Sequence, residues 1–484
     1  MTEVASHHAP APQTSTVTDL TLVSNRSAID AAVRPAVVSL FLSGVAWLLL
    51  STLFAAAVAV KLHFPSFLNW SFLSFGRLAP AADAAFVYGW CSTACLGVAV
   101  WIIARLSGRA APGTSLVSFG ALLWNGGVLI GVLSILLGNQ RPFNGLEFPL
   151  AAFIVMFAGL CLVSVWLAIT YYSDSTPSLS VMFVSGGVAW LGWSLLTGNL
   201  LVASHSVTGV VQQLAATWVS SGALWLWIVP VILGIAYFLV PKVTGQPVFS
   251  GPLGRSLFWL YFVTAGVISA SRLSGGPVPL WLSSIAASGC ILLLVPVLGT
   301  VYNLFATAKG ATVTTASPSM RFVLFGLSVL GVATVLSAIS SLRAVDYSVH
   351  YTLFDNGLRA LLLRGAASMV LFGAIYYIMP RLSGCEWLSS SLISLHFLGS
   401  AYGGCMGAAM LILSGLASGS ALNDADSNFS QVLELGNSYY WGHTMSFVLL
   451  LGGYFLFAMH FLLMAVRIGQ PAGEPTLLNS HHEH

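Results

Sequence analysis

The sequence predicts an all-α membrane protein, a bundle of twelve transmembrane helices, on three observations. Of 484 residues, 57% are hydrophobic and only 6% are charged, with a mean hydropathy of +0.89; a soluble domain carries about 25% charged residues. The apolar residues come in long unbroken runs, and a bilayer core takes roughly 20 such residues per helix. The runs do not alternate as half-buried strands would. Inside hydrocarbon every backbone group needs a partner within the protein, and an isolated apolar run meets that demand as a helix.

The runs follow in order. Residues 1–36 are polar and contain no apolar core, so they read as an N-terminal tail and not as a cleavable signal peptide. The first span is expected at 37–62, and the next two, 82–107 and 114–138, are divided by Gly108 and Pro112. Pro142 precedes the fourth at 147–171, and Pro177 the fifth at 178–203, each acting as a turn signal. The sixth covers 210–241. The second half gives 253–274 after Pro252, 279–308, 318–342 opening on Pro318, 356–381, 388–418 and 438–468. Residues 469–484 form a C-terminal tail, and 37–468 a single membrane domain. Several spans exceed the bilayer thickness, which implies tilt or extension beyond it. The 47 glycines suit close helix contacts in lipid.

With the N-terminus inside, Arg26, Arg34, Arg105, Arg109, Lys242, Arg255, Lys309, Arg321, Arg381 and Arg467 fall at cytoplasmic ends, ten of the seventeen Lys and Arg. An even number of spans then places both termini in the cytoplasm. The net charge of +3 gives no case for nucleic acid.

Cys91, Cys95, Cys161, Cys290, Cys385 and Cys405 fall mostly inside these spans. Cys91 and Cys95 share a helix face, half of a metal site, but no second pair stands at matching spacing, so they read as small buried hydrophobes. No Cys-x-x-Cys-His run is present to attach a c-type heme. Of eleven histidines, His7, His8, His481, His482 and His484 lie in the tails and His63, His205 and His350 near helix ends. Only His396, His443 and His460 fall within helices. Neither His443 nor His460 has an evident axial partner for a heme, and His443, after Tyr439-Tyr440-Trp441, reads as an interfacial anchor.

Late in the chain the sequence runs His350-Tyr351-Thr352-Leu353-Phe354-Asp355-Asn356-Gly357-Leu358-Arg359-Ala360, and the helix closes on Phe372-Gly373-Ala374-Ile375-Tyr376-Tyr377-Ile378-Met379-Pro380. This frame resembles the catalytic subunit (subunit I) of the C-family heme–copper oxidases, the cbb-type cytochrome c oxidases and their nitric oxide reductase cousins. There the stretch reads His-Tyr-Thr-Asp-Trp-Thr-Ile-Gly-His-Val-His, and its last two histidines each hold a heme iron. Leu358 and Ala360 stand in those places. The resemblance covers nearly the whole chain. Gly76-Arg77-Leu78-Ala79-Pro80-Ala81-Ala82-Asp83 is similar to the family's Gly-Arg-Leu-Arg-Pro-Leu-His-Thr, with Ala82 in place of the other low-spin heme ligand. Tyr237-Phe238-Leu239-Val240-Pro241-Lys242 resembles Tyr-Phe-Val-Pro-Lys, and counting back puts Ser221 at the first copper ligand. Counting forward puts Ser271 and Arg272 at the remaining copper-ligand pair and Ala265 at the active-site tyrosine, while Leu336 replaces a membrane glutamate.

The resemblance thus implies a twelve-helix, subunit I-like bundle in a bacterial cytoplasmic membrane, with the cofactor ligands lost. Alkyl side chains offer no lone pair, serine hydroxyls are poor ligands for cuprous copper, and a guanidinium is donor-only. No heme or copper is expected on this chain; c- and b-type hemes are expected in partner subunits, among them a membrane-anchored c-type cytochrome. The vacated volumes are expected to be filled by Trp190, Trp193, Trp225 and Trp227, by lipid tails or by collapse of the bundle. Arg272, Arg359 and Arg364 are the unusual residues that remain, since a cation within lipid usually faces a partner or water. They either reach the outer surface, pair with Asp355 or Asp346, or bind a partner subunit or a lipid headgroup. The stretch 418–437, with Asp424, Asp426 and Glu434, reads as a solvated acidic loop or a partner contact. The leading functional expectation is a non-catalytic subunit that scaffolds a respiratory complex. An active oxidase or reductase with atypical ligands, a transporter or conduit reusing the bundle, and an assembly factor remain as alternatives.

Overall fold

The computed structural model describes residues 15–108, 110, 112–171, 176–203, 207–274, 276–311 and 317–466, with side chains from Asn25 onward except that of Arg272. His7, His8, His205, His481, His482, His484, Arg109 and Arg467 lie outside the described residues. Twelve helices are long and apolar enough to cross a membrane, and no strand occurs among the described residues. They are α1 (Ser15–Lys61), α2 (Phe75–Ser107), α3 (Thr114–Leu136), α4 (Leu150–Thr170), α5 (Leu179–Ala203), α6 (Val210–Thr244), α7 (Gly251–Ser271), α8 (Leu280–Ala308), α9 (Pro318–Ser340), α10 (Phe354–Ser383), α11 (Ser390–Leu422) and α12 (Phe429–Val466).

Two boundaries depart from the expected ones for clear physical reasons. Residues 15–36, expected within a polar tail, are helical and continuous with the first span. Ile29 and Val33 are buried there, and buried Asp30 accepts from Arg105 (Nη2 at 2.6 Å, Nε at 2.8 Å) and from Trp101 Nε1 at 3.1 Å. The supposed acidic loop at 418–437 is mostly helix, because α11 runs on to Leu422 and α12 starts at Phe429.

α2, α6 and α10 form the centre of the bundle. Their most apolar windows are 100%, 94% and 94% buried, against 39–56% for the other nine. Each contains a π-helical segment, Ala85–Cys91, Ala223–Ile228 and Leu361–Ala367, beginning at evenly spaced positions along the chain. Such bulges in α-helices frequently mark functional sites. Each central helix also ends on a left-handed glycine, Gly108 (φ 68°), Gly245 (φ 68°) or Gly384 (φ 73°), three residues after Arg105, Lys242 or Arg381. Glycine tolerates that conformation, and a cation there complements the helix C-terminus.

The matching positions meet in space. Trp101, Phe238 and Tyr377 form an aromatic triangle with ring centroids 5.5, 6.0 and 6.4 Å apart, all edge-on. Ser92 and Ser368 each donate to a carbonyl five residues back, that of Val87 or Leu363, across the π turn. Each also accepts an indole N–H from another central helix: Ser92 from Trp227 at 2.9 Å, and Ser368 from Trp90 at 2.9 Å. The bundle is therefore built around three evenly spaced, similar helices, one from each successive third of the spans. A buried indole N–H needs an acceptor, and these serines supply it.

Candidate functional site

Two cavities flank α10 near the end of the bundle that carries the 137–149 connection. Leu358 and Ala360 are two residues apart, so at about 100° per residue they face opposite sides of the helix. Ala360 lines the larger cavity, of 520 Å³, together with Ala82 from α2. Leu358 lines the second, of 310 Å³, together with Ser221 from α6. Arg359, between them, borders both cavities, as do Asn144 and Asn356. Four of the positions singled out in the sequence thus sort into two pairs, each sharing a cavity. Of the others, Ala265 and Ser271 do not join them. Ala265 is buried on α7 outside both linings, and Ser271 donates to the Ile268 carbonyl at 2.7 Å. Arg272 belongs to the tight turn Ile268–Leu273, and its side chain lies outside the described residues. Its neighbour Leu273 reaches the second cavity.

The wall between the cavities is an ion pair. Arg359 donates to Asp83 through Nη2 at 2.7 Å and Nε at 3.2 Å, and a third contact runs from Nη1 to Ser220 Oγ at 3.5 Å. All three central helices meet at this guanidinium. Sequence reasoning paired Arg359 with Asp355 or Asp346, or sent it to the surface; the fold gives it Asp83 instead. Asp346 meets His350 Nδ1 at 3.4 Å, and Asp355 borders the second cavity.

Arg364 lies one turn deeper, on the π segment of α10. Its guanidinium carbon sits 5.2 Å from the Phe86 ring centroid and 5.3 Å from that of Phe447. It makes no hydrogen bond or ion pair among the described residues, and its Nε is fully shielded. Arg141, in the 137–149 connection, donates to Asn199 at 2.8 Å, and burial lowers its affinity for its proton. Glu147, also in that connection, accepts from the Gly145 backbone N–H at 2.9 Å. Burial pushes its carboxyl up to about 7. Sequence reasoning passed over Asp83, Arg141 and Glu147, although three charged residues in so apolar a chain are a signal in themselves.

The histidines within helices are mostly structural. His396 Nδ1 pairs with the Tyr376 hydroxyl at 2.9 Å, and His460 Nε2 accepts from the Leu388 N–H at 3.1 Å. His443, expected as an interfacial anchor, is buried and borders the larger cavity. Its Nδ1 faces the Gly407 carbonyl at 3.1 Å, which can only accept, so Nδ1 carries the proton and Nε2 holds the lone pair. Of the tryptophans expected to fill space, Trp227 is fully buried and Trp225 borders the second cavity, but Trp193 faces outward.

These linings do not fit the cofactors of the resembled family. An iron with two axial nitrogens needs imidazoles on opposite faces, and the larger cavity presents methyl groups at Ala82 and Ala360 with a single imidazole, His443. Among the described residues, the second lining contains no imidazole for copper. Among the described residues no three His, Cys, Asp or Glu side chains cluster to hold a metal ion. Cys91 and Cys95 are buried in the centre of α2.

Residues 35–449 match the model of the family described as cytochrome c and quinol oxidase polypeptide I. The chain is 25% identical to the cbb3-type cytochrome c oxidase subunit CcoN1 of Stutzerimonas stutzeri, over 76% of this chain and 80% of that one. It is 25% identical to cytochrome c oxidase subunit 1 of Rhodobacter capsulatus, over 78% of this chain and 74% of the relative. Among solved structures, a heme–copper terminal oxidase dimer superposes with a TM-score of 0.70 at 13% identity, covering 95% of this chain and 88% of that one, a likeness of fold.

Proposed function

Since this chain belongs to the heme–copper oxidase subunit I family, we propose that it is a family member without cofactors of its own, a multi-pass inner-membrane subunit with both termini in the cytoplasm, scaffolding a respiratory complex. One observation carries the reading: Ala82 and Ala360, where the resembled family places two imidazoles, line the same larger cavity. Ser221 and Leu358 repeat the pattern in the second cavity. The central ion pair and the indole–serine bonds hold the three buried helices together without a cofactor, which supports a folded scaffold able to engage other subunits. The expected partners are a membrane-anchored c-type cytochrome and further respiratory subunits, which would carry the c- and b-type hemes.

The test is purification of the tagged chain from its native membrane in mild detergent, followed by separation of the copurifying polypeptides. The isolated chain is expected to be colourless, with heme absorbance following the partner polypeptides. A Soret band and a reduced b-type spectrum in the isolated chain would overturn the reading and favour an oxidase with atypical ligands, His443 being its first candidate. A chain that purifies alone, colourless and without partners would instead move the assignment toward a conduit.

A further inference from the structure

The larger cavity is more than vacated space, because its charges do not balance. Arg359 is neutralised by Asp83, leaving Arg364 and Arg141 to be matched. Arg141 has only the neutral amide of Asn199. Arg364 has only the faces of Phe86 and Phe447, and rings stacked on a guanidinium leave its in-plane N–H donors free. Its Nε is shielded, and the group borders the cavity. A guanidinium keeps its proton and accepts nothing, so inside a membrane bundle those donors require an acceptor. Among the described lining residues, the carboxylate left to balance the two cations is Glu147, already engaged with the Gly145 N–H.

Resting on the reading that Ala82 and Ala360 hold no iron between them, we propose that this cavity binds a phosphate oxyanion through Arg364 and Arg141, as the headgroup of an anionic phospholipid or as free phosphate. Phosphate offers several acceptor oxygens, which match the planar donor edge of a guanidinium. The cavity volume of 520 Å³ falls within the range of small-molecule sites, about 300–1,000 Å³. Its walls suit an amphiphile: Gln140 and Asn144 are exposed at the rim, whereas Ala55, Val58 and Leu411 are apolar.

The experiment uses the full-length chain, delipidated in detergent, with thermal unfolding recorded after adding phosphatidylglycerol, phosphatidylcholine or inorganic phosphate. Phosphatidylglycerol is expected to raise the unfolding temperature where phosphatidylcholine does not. Arg364→Gln is expected to weaken that response about tenfold, the loss of one charge-assisted contact. Ala82→Leu, which fills the cavity and leaves both arginines in place, is expected to abolish it. An equal response to inorganic phosphate assigns the site to a soluble ion, and a response to the lipid alone assigns it to a headgroup. Failure of both to act beyond phosphatidylcholine, or a full response in Arg364→Gln, overturns the phosphate site. Absorbance of the same samples separates the two readings. A Soret band at one heme per chain defeats the vacated-ligand reading, whereas a colourless chain indifferent to phosphate defeats only this inference.

Discussion

Arg359 of α10 grips both carboxylate oxygens of Asp83 on α2, 276 residues earlier in the chain, and so closes the centre of the bundle between two cavities. Breaking the pair leaves a guanidinium without its counter-charge. Asp83 is partly open to the cavity, which tempers the loss through water screening. Asp83→Asn is expected to destabilise the protein by about 1–3 kcal/mol. The double variant with Arg359→Gln is expected to cost less than the sum of the single ones. Thermal unfolding followed by tryptophan fluorescence checks both, and strict additivity would remove the pair from its central role.

The two indole–serine bonds predict a paired effect. Ser368→Ala strands the Trp90 N–H and Ser92→Ala strands that of Trp227, each in a fully buried site. Each substitution is expected to cost about 1–3 kcal/mol, whereas Ser→Ala at exposed Ser328 is expected to fall within about 0.5 kcal/mol of neutral. Denaturant unfolding in detergent measures the contrast.

If missing nitrogens are what exclude iron from the larger cavity, returning them has a visible consequence. The double variant Ala82→His with Ala360→His, expressed with ample heme, is expected to gain a b-type absorbance that neither single variant shows. Optical spectra of the purified variants decide it. Colour in the unaltered chain would contradict the premise outright.

Glu147 sets a pH dependence whose sign is fixed. Burial raises its carboxyl from the ordinary 4.5 to about 7, with Asp83 adding to the rise while the Gly145 N–H and Arg359 oppose it. Tyr88 and Arg141 complete its polar surroundings. Between those two values the folded chain holds a proton that the unfolded chain has released, so stability falls as pH rises through the window and levels off above about 7. Glu147→Gln is expected to flatten this slope, as read from unfolding temperatures recorded from about pH 5 to pH 8. An unchanged slope in the variant would place the titration elsewhere.

Much of the architecture was legible because hydrocarbon imposes a simple rule on composition. The run expected at 210–241 is the helix Val210–Thr244, and that expected at 114–138 is Thr114–Leu136. Ala82, Ala360, Ser221 and Leu358 were singled out by motif matches, whereas their sharing of two cavities came from the fold. The threefold construction was missed, although Arg105 before Gly108, Lys242 before Gly245 and Arg381 before Gly384 repeat it in plain sight. The aromatic triangle built from three different residues hides the repeat, since tryptophan, phenylalanine and tyrosine fill one role by shape.

By itself the sequence predicted that twelve helices cross a membrane and singled out Ala82, Ser221, Leu358 and Ala360 by their places in motifs, because both depend on local composition and motif. Only the tertiary structure decided that Asp83 neutralises Arg359, that Arg364 lies between two phenyl rings and that His443 borders a cavity. Each of these depends on how a helix is rotated about its own axis. A π segment inserts a residue and turns everything beyond it by about 100°, a shift that leaves no trace in an apolar run.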